Sequence, residues 1–149
     1  MFQVRVMVRR VNWKRDVVGV ATTLVVLGSL AGRAAAAAGG QLTVLDGAYS
    51  RAQAERGGQT FKQVCAACHN IDEMSGNRFR SSWADQSLGD LFDFVTNAMP
   101  QGDPGSLTAE EYASVIAFFL SQSGYPAGSA DLPASKDDLS KLKVLAVPK

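Results

Sequence analysis

Cys65, Cys68 and His69 fall within one five-residue run, Cys65-Ala66-Ala67-Cys68-His69, and they are the chain's only cysteines and its only histidine. Two thiols three residues apart at a helix end can each add to one vinyl group along a porphyrin edge. The imidazole beside the second thiol then falls beneath the metal and ligates it through a ring nitrogen. The C-x-x-C-H run therefore reads as the attachment site of one covalently bound haem, with heme c and its iron as the expected cofactor. Two other chemistries use the same residue types. A thioredoxin-like dithiol belongs in a βαβ setting, which the surrounding pattern lacks. A structural zinc site needs four ligands, whereas the chain offers three crowded Cys and His groups.

An iron held by His69 leaves a sixth position to fill. Methionine there raises the potential and suits electron transfer, while an open position admits small ligands or peroxide. Beyond residue 38 the methionines are Met74 and Met99. Met74 follows His69 by five residues, a reach of at most about 17 Å, and would have to round the porphyrin edge at once. Met99 lies thirty residues downstream, just before Pro100, where the chain can return across the opposite face. Met99 is thus the expected second axial ligand, against the plainer role of filling a core gap. Met74 is assigned to packing or the surface.

Phe79 and Trp83 follow in a stretch rich in Ser, Asn and Arg that reads as a loop. Both are candidates to wall the haem, Trp83 with its indole on a propionate, and general core packing is the alternative for each. Arg78 and Arg80 could neutralise propionates, but a solvated pair is the expectation. With the only histidine committed to iron, no Ser/His/Asp triad can form and no catalytic residue is expected.

Three helices must position these groups. The first starts at Ser50, with Gln53 at capping-box spacing, and runs to about Val64, carrying Ala54, Gly57, Phe61 and Val64 on one face. The second starts near Ser87, with Asp90 at the matching position, and carries Leu88, Leu91, Phe92 and Val95. The third starts with the Thr108/Glu111 box, bears the stripe Tyr112, Val115, Ile116, Phe119 and Leu120, and stops at Gly124. No stretch alternates as a strand would. The expected fold is a small all-α domain of three main helices plus loops around one haem.

The remaining organisation lies in the charge. Residues 1–38 hold six basic residues and one acidic residue, while 39–149 hold nine and thirteen. Arg5, Arg9, Arg10, Lys14 and Arg15 precede an uncharged run from Val17 to Gly32, and small residues follow at Ala34 to Ala38. That order is the pattern of a bacterial export signal, with cleavage expected near Ala38/Gly39. The alternative is an uncleaved anchor in which Arg33 snorkels to the interface. The expected organisation is an export signal over 1–38, a haem domain over 39–149, and a C-terminal tail over 133–149 that either wraps the domain or meets a partner. No apolar run is long enough for a many-span membrane protein, and the near-neutral total of +1 leaves no electrostatic footprint for nucleic acid.

From Tyr49 to Leu132 the sequence resembles the mono-haem class I cytochrome c family. The markers are Gly57 and Phe61, the Cys65–His69 run, Ala98-Met99-Pro100, Pro104-Gly105-Ser106-Leu107, Glu111-Tyr112 and Ile116-Ala117-Phe118-Phe119-Leu120. Asn70 departs from the glycine that many relatives carry after the haem histidine. In that family the first and last helices cross near a glycine and stacked aromatics, which implies that Gly57 and Phe61 meet Tyr112, Phe119 or their neighbours. The stretch from Leu107 to Gly128, with Gly124-Tyr125-Pro126-Ala127-Gly128, looks most like cytochromes that accompany periplasmic quinoprotein dehydrogenases.

The expected protein is a periplasmic single-electron carrier, not an enzyme, that works between redox partner proteins. A quinoprotein dehydrogenase is the implied donor, and a terminal oxidase or another cytochrome the acceptor. One alternative is a five-coordinate haem protein that senses a ligand or reduces peroxide. The other is a cytochrome subunit fixed to the inner membrane, facing the periplasm, if residues 1–38 remain as an anchor.

Overall fold

The computed structural model describes residues 42–146, five α-helices joined by turns and loops, with no strand among the described residues. The expected export signal over 1–38 lies outside the described residues, as do the last three residues of the tail. No described helix is long and apolar enough to cross a membrane.

Helix α1 (Arg51–Thr60) begins where the Ser50 hydroxyl accepts the Gln53 amide N–H at 3.0 Å. Only half of the expected capping box forms. The Gln53 side chain turns inward instead, donating to the Leu132 carbonyl at 3.1 Å and accepting the Leu132 N–H at 2.7 Å. Beyond Thr60 the chain widens into a π-helical turn (Phe61–Cys65), closed by the Ala66 N–H on the Phe61 carbonyl at 2.9 Å. Such turns are uncommon and often mark functional positions.

The stretch expected to be a loop after His69 contains helix α2 (Gly76–Trp83). Ser75 stands at its N-cap but makes no side-chain capping bond, and Gly76 sits at φ +62°. Tertiary packing of Phe79, 3% exposed, holds it instead. Helices α3 (Leu88–Ala98) and α4 (Ala109–Gln122) follow the sequence closely. Both open with complete capping boxes, Ser87 with Asp90 and Thr108 with Glu111. Left-handed Gly124, at φ +82°, lets the chain turn away after α4.

The core is centred where α1 crosses α4. A Cβ at Gly57 would run into the backbone carbonyl of Ser114, so only glycine allows this approach. One turn on, the Phe61 ring lies 5.7 Å from Phe118 and 5.9 Å from Phe119, the latter edge-on at 81°. The crossing expected from the family resemblance is therefore present, with Ser114, Phe118 and Phe119 as partners. Tyr112 is used elsewhere.

The tail wraps the domain. Leu139 and Val144 are buried, and a short helix α5 (Lys136–Leu139) lies against α3. A Cβ at Gly89 of α3 would collide with the Ser140 hydroxyl. Backbone bonds pin the strap at both edges: the Leu88 N–H to the Leu142 carbonyl at 2.9 Å, and the Val144 N–H to the Gln86 carbonyl at 3.0 Å.

Candidate functional site

Cys65 closes the π-helical turn, and its carbonyl accepts both the Cys68 N–H at 3.1 Å and the His69 N–H at 2.9 Å. These bonds wind the five residues into one tight turn that carries both thiols and the imidazole. Neither cysteine is in a disulfide; Cys65 is half-buried and Cys68 exposed. Burial pushes the Cys65 thiol up from its ordinary value, which favours the neutral thiol. The imidazole of His69 has no hydrogen-bond partner among the described residues. Asn70 then caps a short 3-10 turn (Ile71–Glu73) by accepting the Asp72 N–H at 3.1 Å, which directs the chain away from His69.

A cleft of about 500 Å³ opens beside this turn, walled by Phe61, Ala66, Ala67, Cys68, His69, Asn70 and Ile71. Two unpaired thiols and an unpartnered imidazole on one turn, with Cys68 and His69 lining the cleft, form a donor set that fits haem attachment and proximal ligation. No three Cys, His, Asp or Glu side chains among the described residues cluster as a metal cage, so Cys65, Cys68 and His69 are not gathered around one point as zinc ligands.

The other expected residues stand apart from that cleft. Met99 is the C-cap of α3, half-buried, with its N–H on the Val95 carbonyl at 3.0 Å. Its own carbonyl accepts the Tyr112 hydroxyl at 2.7 Å. Phe79 packs into the core against Phe119 and Tyr125, with ring centres 6.5 and 6.3 Å away. Trp83 is half-buried at the end of α2, 6.1 Å from the exposed Phe94 ring of α3. Met74 is half-buried against the core.

Arg80 departs from the expected solvated pair. Its guanidinium donates to the Ser123 carbonyl at the end of α4 and to the Asn77 side chain, tying α2 to α4. Arg78 is exposed and makes no ion pair among the described residues. Tyr112, expected in an apolar stripe and against Gly57 and Phe61, instead directs its hydroxyl to the Met99 carbonyl and the Gly105 N–H. A hydroxyl on an otherwise apolar face is the signal that points to its bonds.

Residues 52–119, from α1 through most of α4, match the family model described as "Cytochrome C oxidase, cbb3-type, subunit III". Neither the curated proteins nor the solved structures provide a match.

Proposed function

With residues 52–119 forming a domain of the mono-haem class I cytochrome c family, we propose that the chain is an exported carrier of single electrons. Its one haem is held covalently by Cys65 and Cys68 and ligated by His69 and Met99. The observation that carries this reading is the single turn that presents two unpaired thiols beside an unpartnered imidazole. The haem, when bound, supplies a one-electron iron couple.

The chain's own residues do the rest. Cys65 and Cys68 tether the group against dissociation, and His69 fixes its orientation. Phe61 and Ile71 wall the cleft and exclude water. Met99 would be the second protein ligand of the iron, which would raise its potential and leave no place for substrate. Trp83, at the end of α2 beside Phe94, is the aromatic we assign to wall the haem, and Phe79 supports that helix from the core. With both iron positions taken by protein side chains, the group would supply one-electron transfer and no substrate chemistry.

The excess of acidic over basic residues in 39–149, thirteen against nine, steers the domain toward a basic partner surface. Docking of this kind is weak and brief. The export signal places the domain in the periplasm, between a quinoprotein dehydrogenase as donor and a terminal oxidase or second cytochrome as acceptor. The name of the matched family favours a second reading, a fixed cytochrome subunit of a membrane complex held by residues 1–38.

The intact mass and visible spectrum of the purified native protein test these points together. The expected result is a polypeptide shortened near residue 39 that carries the mass of one haem, with a low-spin spectrum. A mass equal to the polypeptide alone contradicts covalent attachment. Retention of residues 1–38 favours the fixed subunit.

A further inference from the structure

Between α3 and α4 the chain crosses a loop, residues 99–107, whose tip from Gln101 to Ser106 is exposed. Internal backbone bonds shape it: the Gly102 and Asp103 amides reach the Pro100 carbonyl at 2.9 and 3.0 Å, and the Ser106 amide reaches Asp103 at 3.3 Å. None of these ties the loop to the rest of the domain. That connection is made by Tyr112, on the first turns of α4 and 3% exposed. Its hydroxyl donates to the Met99 carbonyl at 2.7 Å and accepts the Gly105 N–H at 3.1 Å. Among the described residues it is the one side chain from outside the loop that hydrogen-bonds to it. One oxygen thus joins both ends of the loop to a rigid helix.

From this geometry we infer that the Tyr112 hydroxyl is the latch that keeps Met99 in register as an axial ligand. This rests on the reading of Met99 as a ligand. A methionine at a loop start can swing away when the loop opens, and opening exposes the sixth position to any competing base. The latch acts on that equilibrium through the Met99 backbone and leaves the sulfur itself untouched. Tyr112 is therefore a positioning residue, and its ring serves the core independently of its hydroxyl. The left-handed backbone of Gly105, at φ +77°, belongs to the same device, since it turns the Gly105 N–H at the far end of the loop toward the hydroxyl.

The test is a spectroscopic imidazole titration of the oxidised holoprotein in four forms: native, Tyr112→Phe, Met99→Ala and Tyr49→Phe. Tyr49 is the control because its buried hydroxyl donates to the Tyr125 carbonyl at 2.8 Å, away from the loop. Tyr112→Phe keeps the ring and removes the two bonds, so imidazole is expected to bind about fivefold to tenfold more tightly than to the native protein, the factor that corresponds to one or two lost hydrogen bonds. Met99→Ala binds far more tightly still, and Tyr49→Phe matches the native protein. Amide exchange at Gly105 should also speed up about fivefold in Tyr112→Phe, a readout independent of ligand binding.

If Met99→Ala binds imidazole no better than the native protein, Met99 is not the ligand and the latch falls with it. If Met99→Ala strengthens binding but Tyr112→Phe does not, the latch alone is wrong. Equal gains in Tyr112→Phe and Tyr49→Phe also overturn it, because the effect would then be general loosening.

Discussion

At the α1–α4 crossing the chain supplies every contact itself: Gly57 admits the Ser114 backbone, and Phe61, Phe118 and Phe119 interlock beside it. Around the turn that carries Cys65, Cys68 and His69 the chain stops short. There Cys65 and Ile71 are only partly buried, Cys68 is exposed, and the imidazole lacks an internal partner among the described residues. The first region is a finished core, and the second leaves two thiols and an imidazole unpaired, as the proposed haem site requires. A domain of this size gains from such a group because its own apolar area is small for the entropy it must overcome. The C-terminal strap packs against α3 and is pinned by backbone bonds to Gln86 and Leu88.

Removing the tether should split the two regions most sharply. In Cys65→Ser/Cys68→Ser, bound haem is expected to vanish from the purified polypeptide. Hydrogen exchange should then show α3 and the 99–107 loop losing protection first, and the α1–α4 crossing last. Protection lost from the crossing first would break the distinction. Next in size is Gly57→Val, which forces a side chain into the Ser114 backbone. It should cost about 3 kcal/mol or more, read as a fall in the denaturation midpoint of the haem-loaded protein. Gln53→Ala leaves the Leu132 N–H and carbonyl without their partner. The expected loss is about 2 kcal/mol, with faster exchange at the Leu132 amide as its local sign.

Smallest is the acid limb. The Ser87 hydroxyl and amide beside Asp90, and the Ser50 hydroxyl with Arg56 beside Asp131, hold both carboxyls below the usual range. A carboxyl with a lowered value in the folded state contributes stability above its unfolded value of about 3.9, and that stability is lost as the pH falls through the folded value. The unfolding midpoint should therefore hold level down to about pH 5 and drop below about pH 4. Both groups are exposed, so Asp90→Asn should flatten the limb by only a fraction of a kcal/mol. A midpoint that rose on acidification would contradict the assignment.

How much of this could be read beforehand follows from where each signal resides. The boxes at Ser87/Asp90 and Thr108/Glu111 are local, since residues three apart both make and satisfy the helix start, and both helices begin where the sequence places them. The Cys65–His69 turn is equally local. Gln53 carried the same spacing after Ser50, yet Leu132, seventy-nine residues away, captured its side chain. Helix α2 was hidden for the same reason, because its stability comes from Phe79 meeting Phe119 and Tyr125 and from Arg80 reaching Ser123. The strap became legible only in three dimensions, where backbone bonds to Gln86 and Leu88 replaced any periodic pattern. Tyr112 lay in plain view on an apolar stripe, but its hydroxyl acquires meaning only beside Met99 and Gly105.

The most direct measurement on the central claim is a carbon monoxide titration of the reduced holoprotein at neutral pH. An iron held by His69 and Met99 leaves no open position, so the visible spectrum should stay unchanged as carbon monoxide is added, and Met99→Ala should bind it readily. Rapid binding by the native protein would contradict Met99 ligation and make the haem a ligand-binding centre in place of an electron carrier.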